Sequence, residues 1–91
     1  MAQPAPVYDC EDSGIVLRYG SRGGCVYVVQ SLLNIMYNAG LVEDSSYGPA
    51  TTTAVRQFQA RYGLTVDGIF GPKSWAALSG AYYNMVHGWP Y

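Results

Sequence analysis

Few side chains in this sequence are able to do covalent or acid–base chemistry, and they are scattered. There is one histidine, His87, and two cysteines, Cys10 and Cys25. A catalytic zinc site takes two or three His, Cys or Asp/Glu ligands and keeps a position open. His87 has no such partner near it in sequence. A cysteine nucleophile needs a free thiol with a histidine and an orienting group, whereas these two cysteines are more simply read as partners of each other. A glycosidase needs a carboxylic acid of raised pKa, usually with a second carboxylate nearby. Glu43 and Asp44 are adjacent in the polar stretch "LVEDSSYG", where both read as solvated. The sequence is therefore read as a non-enzyme with no metal and no cofactor.

The residues that suit binding are better organised. Tyr47 and Phe70 each stand directly before Gly-Pro, in "YGPATTTAVRQFQ" and "FGPKSWAAL". Their bland role is to plug the core, and their functional role is an edge for stacking a sugar ring. Trp75 offers a large ring and an N–H that needs a partner, either in the core or at a ligand. Thr51, Thr52 and Thr53 follow Pro49, where hydroxyls and a helix N-terminus would meet an amide or a carboxylate. Arg56 and Arg61 belong to a polar face and read as solvated cations, but a guanidinium also grips a carboxylate in two places. Tyr47, Thr51, Thr52, Arg56, Phe70 and Trp75 are the candidate ligand-binding set. Gln30 and Gln59 fall on inner helix faces and are expected to satisfy loop backbone groups, because a buried amide must be paired. Asp67-Gly68 is expected to form an Asx-type turn. His87, Trp89 and Tyr91 read as a packed or frayed tail.

Those residues need a scaffold, and 91 residues supply one small domain. The chain is 49% hydrophobic and 12% charged with net charge −1. That balance argues against a disordered tail and against phosphate-driven nucleic-acid binding. No apolar run approaches the ~20 residues that span a membrane. Charge is uneven: Asp9, Glu11 and Asp12 make a head of −3, and five basic residues against Glu43, Asp44 and Asp67 make a body of +2. A faintly basic body suits a carboxylate-bearing ligand. In a small exported chain two cysteines mean one disulfide, and in a cytosolic chain two thiols. The opening "MAQPAPVYDC" reads as an added Met before a mature exported N-terminus, so a Cys10–Cys25 disulfide and a secreted, extracellular or wall-associated location are expected.

Three helices are expected, as a small all-α bundle. Residues 1–16 read as an extended lead. From Cys25 to Ala39, Val26, Val29, Leu32, Leu33, Met36 and Ala39 recur at three- and four-residue steps, the spacing of one helix face, with Gly40 as the stop. Pro49 suits the first position of a second helix, with Val55, Phe58, Gln59 and Tyr62 facing inward and Gly63 ending it. Pro72 opens a short third helix carrying Trp75 and Leu78, stopped at Gly80. Residues 17–80 form the domain, and residues 81–91 an aromatic, unperiodic tail.

The second and third helices are two copies of one pattern. A shift of 23 residues takes Gly40-Leu41 to Gly63-Leu64, Asp44 to Asp67, Tyr47-Gly48-Pro49 to Phe70-Gly71-Pro72, and Thr51 to Ser74. Carried backward, it takes Leu32 and Ile35 to Val55 and Phe58. A unit this small cannot bury its own apolar face, so the copies must pack on each other. Their Gly-Pro loops then lie close together and flank a shallow groove.

These residues carry a resemblance. Gly20-Ser21-Arg22-Gly23, Val26 with Gln30 and Leu33, Gly48-Pro49, Ala54-Val55 with Phe58-Gln59, Gly63-Leu64, and Val66-Asp67-Gly68 before Phe70-Gly71-Pro72 closely resemble the peptidoglycan-binding-like domain of bacterial cell-wall hydrolases. The resemblance runs from about Leu17 to Leu78. It implies a three-helix wall-targeting module, often fused to an amidase, carboxypeptidase or muramidase, whose partner is peptidoglycan, through the glycan strand or the stem peptide. Neither nucleic acid nor membrane is expected as a partner, and the domain is expected to be a monomer. The alternative is a protein-interaction or protease-inhibitory module, because related three-helix domains occur in metalloproteinase propeptides. The chain departs from the pattern at Gly24, where Pro is common, at Cys25, and at Ser45-Ser46, which replaces the glycine of the first loop.

Overall fold

The structure is a computed structural model describing residues 6–91. It contains four helices, α1 (Pro6–Ser13), α2 (Gly24–Tyr37), α3 (Pro49–Arg61) and α4 (Pro72–Val86). Two isolated antiparallel bridges, Leu17 to Phe70 and Arg22 to Ser46, are the extended pairings among the described residues. The all-α expectation holds, with one helix more than the sequence pattern implied.

The three expected helices form for the expected reasons. Helix α2 buries Val26, Val29, Leu32, Leu33 and Met36 along one face. It ends at Tyr37 rather than at Gly40, because Asn38 takes the left-handed conformation (φ 54°, ψ 46°) and its N–H caps the carbonyls of the last turn. Asparagine is the non-glycine residue best suited to that role. Helices α3 and α4 start alike: Gly48 and Gly71 are extended, with φ −105° and −109°, and proline follows in the first turn. Proline's fixed φ suits the helix and its missing N–H has no intrahelical partner to lose there.

The first departure is α1. The segment read as an extended lead is helical from Pro6, and residues 1–5 lie outside the described residues. Eight residues are too few for a helix to persist alone; α1 is held by tertiary contacts. Val7 and Cys10 are buried, and Tyr8 packs edge-on to Tyr82 at 6.0 Å between centroids. Cys10 and Cys25 form the expected disulfide, with Cα atoms 5.8 Å apart, joining α1 to the start of α2. Closing a 15-residue separation contributes about 3 kcal/mol in the chain-entropy view.

The second departure is the end of α4. The helix runs through Gly80 to Val86 and takes in half of the expected tail. A mid-helix glycine costs about 1 kcal/mol relative to alanine. Burial of Ser79 and Ala81 on either side of it, with Tyr82 and Met85 packed on the core, offsets that cost.

The repeat also has a different register from the one expected across its helices. The 23-residue shift holds for the loops and the helix starts. Leading into them, the equivalent residues are 29 apart: Val26, Val29 and Gln30 match Val55, Phe58 and Gln59, all buried. Ile35, paired with Phe58 by the shorter shift, is 62% exposed. The six extra residues are the last turns of α2 and its exit, which α3 lacks.

The core centres on an aromatic chain. Phe58 stacks on Phe70 at 5.9 Å, and Phe70 meets Trp75 edge-on at 4.7 Å. Val26, Val55, Leu33 and Leu78 are buried in the same core. Phe58→Ala is expected to cost about 3–5 kcal/mol, the usual range for a buried aromatic, approaching the whole stability of a small domain. Urea unfolding followed by circular dichroism measures it; a loss below about 1 kcal/mol contradicts this core.

Candidate binding site

The site grows from two buried glutamines. The Gln30 Nε2 group lies 3.1 Å from Asp44 Oδ1, 3.0 Å from the Ser46 carbonyl and 3.1 Å from Thr51 Oγ1, its two N–H groups shared among the three acceptors. Its Oε1 accepts the Ser45 N–H at 3.0 Å. The Gln59 Nε2 group repeats this with Asp67 Oδ1 at 3.0 Å, the Ile69 carbonyl at 2.9 Å and Ser74 Oγ at 3.3 Å. Its Oε1 accepts the N–H groups of Asp67 and Gly68. Every partner in the loop and the following helix but the Asp67 N–H is related by the 23-residue shift. The hydroxyl two residues past each proline is thereby an acceptor for the glutamine amide.

Each loop is tightened further by its aspartate, which accepts the N–H two residues on: Ser46 to Asp44 at 3.0 Å and Ile69 to Asp67 at 2.9 Å. The turns need a left-handed residue between. Gly68 supplies it at φ 72°, and Ser45 supplies it at φ 62°, so the serine that departs from the family pattern keeps the same backbone. Non-glycine residues adopt this conformation at a steric cost, here repaid by the Ser45 N–H bond to Gln30.

The segment 15–23 ties both loops to one frame. Leu17 and Phe70 exchange backbone hydrogen bonds of 3.0 and 2.7 Å. Tyr47 accepts from Gly20 and donates to Ser21, both at 2.9 Å, and the Gly23 N–H donates to Ser45. The Tyr47 hydroxyl crosses between the copies, donating to the Gly68 carbonyl at 2.7 Å. The two Gly-Pro loops are thus neighbours.

Of the six sequence candidates, four are inside. Tyr47, Phe70 and Trp75 are at most 1% exposed, and Thr51 is 3% exposed. The Tyr47 and Trp75 rings fill the core and give their polar atoms to backbone carbonyls, Trp75 Nε1 reaching Ile15 at 2.8 Å. The stacking edge expected of them is accordingly beneath the surface, and burial pushes the Tyr47 phenol pKa up, with Asp67 adding to the shift. Thr52 is half-buried and Arg56 exposed. Both back onto Gly68: a Cβ there would stand 3.0 Å from Thr52 Cγ2 and 3.1 Å from Arg56 Nε. The Thr52 hydroxyl donates to the Gly48 carbonyl at 3.0 Å, which leaves its oxygen as an acceptor.

A cleft of about 440 Å³ opens beside the second loop, lined in part by Val16, Leu64, Thr65, Ile69 and Lys73. Sequence reasoning missed these residues. Lys73 follows Pro72 directly, and its place in an exposed first helical turn was the available signal. Among the described residues no cluster of three or more His, Cys, Asp or Glu has metal-binding geometry, and both sulfurs are in the disulfide.

With this geometry in hand, comparison with known proteins is direct. The profile of the putative peptidoglycan binding domain family matches residues 22–78. The chain belongs to that family. It is 38% identical over 65 residues to a probable N-acetylmuramoyl-L-alanine amidase of Bacillus licheniformis, covering 63% of this chain and 18% of the amidase. It superposes on the N-terminal domain of SleB with TM-score 0.71 and 34% identity, covering 75% of this chain and 93% of that one. It superposes on the Burkholderia AP3 phage endolysin with TM-score 0.68 and 48% identity, covering 74% of this chain and 26% of the endolysin. The chain spans 13% and 54% of two further curated relatives, so it corresponds to one part of most of these proteins.

The aspartates give the site a pH signature. The Ser46 N–H above all, and the Gln30 amide, hold the Asp44 carboxyl below its ordinary range; the Ile69 N–H and the Gln59 amide do the same for Asp67. A depressed native pKa contributes stability that is complete above the unfolded value of about 4 and is lost as pH falls through the lower native value. The melting temperature should therefore decline on acidification below about pH 4. Asp44→Asn with Asp67→Asn should lower it at neutral pH and flatten that decline; parallel curves for variant and native protein contradict the assignment.

Proposed function

We propose that this domain binds peptidoglycan without cleaving it, and so targets or anchors the protein that carries it to the bacterial wall. The observation that carries the reading is the contiguous surface formed by Thr52, Arg56 and the turn at Gly68, held in register by the glutamine anchors. The family membership and the fusion of related domains to wall enzymes support the ligand. The site's groups suit covalent chemistry poorly and recognition well: an acceptor hydroxyl, an exposed guanidinium, and a cleft that mixes Leu64 and Ile69 with Lys73.

Arg56 would hold a stem-peptide carboxylate through two parallel bonds, and the Thr52 oxygen would accept an amide N–H. Leu64, Ile69 and Val16 would take a side-chain methyl group, with Lys73 at the cleft edge. Tyr47, Thr51, Phe70 and Trp75 contribute from beneath by fixing the loops that present these groups. Affinity per site need only be modest, since a polymer offers many sites at once. The domain acts outside the cell, at the wall, as a monomer.

Thr52→Ala with Arg56→Ala should weaken pull-down on purified insoluble peptidoglycan at least several-fold, since one charge-assisted contact is worth about 1.5–3 kcal/mol and each 1.4 kcal/mol is tenfold. The melting temperature should barely move, because both side chains face outward. Undiminished binding by the folded double variant places the site elsewhere. Clearing of wall turbidity by the native domain contradicts the non-catalytic reading.

A further inference from the structure

The end of α4 and the residues after it build a second surface with its own chemistry. Tyr83, His87 and Trp89 bring their rings together: centroids lie 4.1 Å apart for Tyr83 and His87, 5.1 Å for His87 and Trp89, and 5.8 Å for Tyr83 and Trp89. Tyr83 is 47% exposed and Trp89 52% exposed. The group is built rather than frayed. Gly88 turns the chain at φ 74°, the Trp89 N–H donates to the Asn84 carbonyl at 2.8 Å, and Asn84 Nδ2 donates to the Pro90 carbonyl at 3.1 Å. His87 Nδ1–H donates to the Tyr83 carbonyl at 2.8 Å. Beyond the last helical residue, the Arg61 guanidinium donates to the Tyr91 carbonyl at 2.8 Å and anchors the segment to α3.

The charge pattern says what this surface takes. From Ser74 to Tyr91 the sequence holds no Asp, Glu, Lys or Arg. The Tyr83 and Trp89 rings carry no charge, and the Arg61 guanidinium that reaches this segment is engaged by the Tyr91 carbonyl, so the rings themselves have nothing to pair with a carboxylate, a phosphate or a basic peptide. The surface offers ring faces for stacking and, at the rings, one hydroxyl, one indole N–H and one imidazole nitrogen. The complementary ligand is neutral, with an apolar face and a polar rim. A pyranose ring has that form: axial C–H groups on its faces and hydroxyl and acetamido groups around its edge.

We propose that Tyr83, His87 and Trp89 form a second, glycan-reading site that stacks the neutral N-acetylated amino sugars of the wall, distinct from the Gly-Pro surface and lying beyond residues 22–78. The inference rests on the peptidoglycan reading above. It divides the labour by chemistry: Arg56 and Thr52 suit the charged, amide-rich stem peptide, and the uncharged ring cluster suits the sugar strand. Two sites on one small domain, meeting two parts of one polymer, would raise the avidity of both.

The test is titration of the full 91-residue chain with the β-1,4-linked tetramer of N-acetylglucosamine, which carries no peptide and no charge. The signal is the indole N–H resonance of Trp89, resolved from that of the buried Trp75. The Trp89 signal should move and saturate while the Trp75 signal stays. Tyr83→Ala with Trp89→Ala should weaken tetramer binding at least about fivefold, the loss expected on removing stacked rings. Thr52→Ala with Arg56→Ala should leave it unchanged. A Trp89 signal unmoved by the tetramer overturns the proposal without any variant having to fold. So does tetramer binding that survives in the ring variant, or a native dimer that the ring variant converts to monomer in sedimentation, which would make this face a self-association surface. Failure of native protein to bind insoluble peptidoglycan would instead overturn the wider function, and the tetramer titration would still decide the ring site on its own.

Discussion

Each loop ahead of a Gly-Pro helix start hangs on one buried glutamine side chain. Gln30 and Gln59 are 1% and 2% exposed, and a primary amide sealed from water at those positions is stable only when its atoms are bonded. Both are: the amide nitrogen is shared among a carboxylate, a backbone carbonyl and a helix-start hydroxyl, and the oxygen accepts loop N–H groups. No buried side-chain polar atom among the described residues lacks a partner. Because one amide reaches a helix, a turn and the start of the next helix together, losing it would loosen all three. The loops cannot slide relative to the helices without stranding donors.

The proposed function depends on that rigidity. Two of the proposed contact groups, Arg56 and Lys73, are long, flexible side chains at the surface. They gain specificity only if the turn between them is fixed, since ordering a loop on binding consumes affinity. Gly68 is the point of transmission. Its carbonyl takes the Tyr47 hydroxyl from the other copy, its N–H goes to Gln59, and its missing side chain lets Thr52 and Arg56 close over it. Any larger residue there would meet both side chains and sit in an unfavourable φ region.

Much of this was legible in the sequence. The helix starts were, because Gly-Pro states them chemically; so were the core face of α2, the roles of the two glutamines, and the Cys10–Cys25 pairing. What escaped detection depended on tertiary contact. Helix α1 has too few residues for a period to register, and it exists because a disulfide and α4 hold it. Gly80 has the local look of a stop, but flanking burial carries α4 through it. The repeat register across the helices was misread because α2 continues well past its glutamine, to Tyr37, whereas α3 ends two residues after Gln59, and a constant shift cannot express such an insertion. Tyr47, Phe70 and Trp75 show why aromatic residues beside glycine are ambiguous: the same ring that would stack on a sugar also fills a void, and only the packing of the second copy decides between the two. Arg56 kept its surface position because helical spacing places it nearly opposite Phe58, and Thr52, one turn before it, shares the edge of that face.

The measurement that bears most directly on the account is amide chemical-shift mapping of the labelled domain during titration with a soluble, sugar-free stem peptide. The account predicts that perturbations concentrate at Thr52, Arg56 and residues 67–73, while the amides of α1 and the outer face of α2 stay still. Shifts confined to α1 and α2, or none at all at saturating peptide, would contradict it.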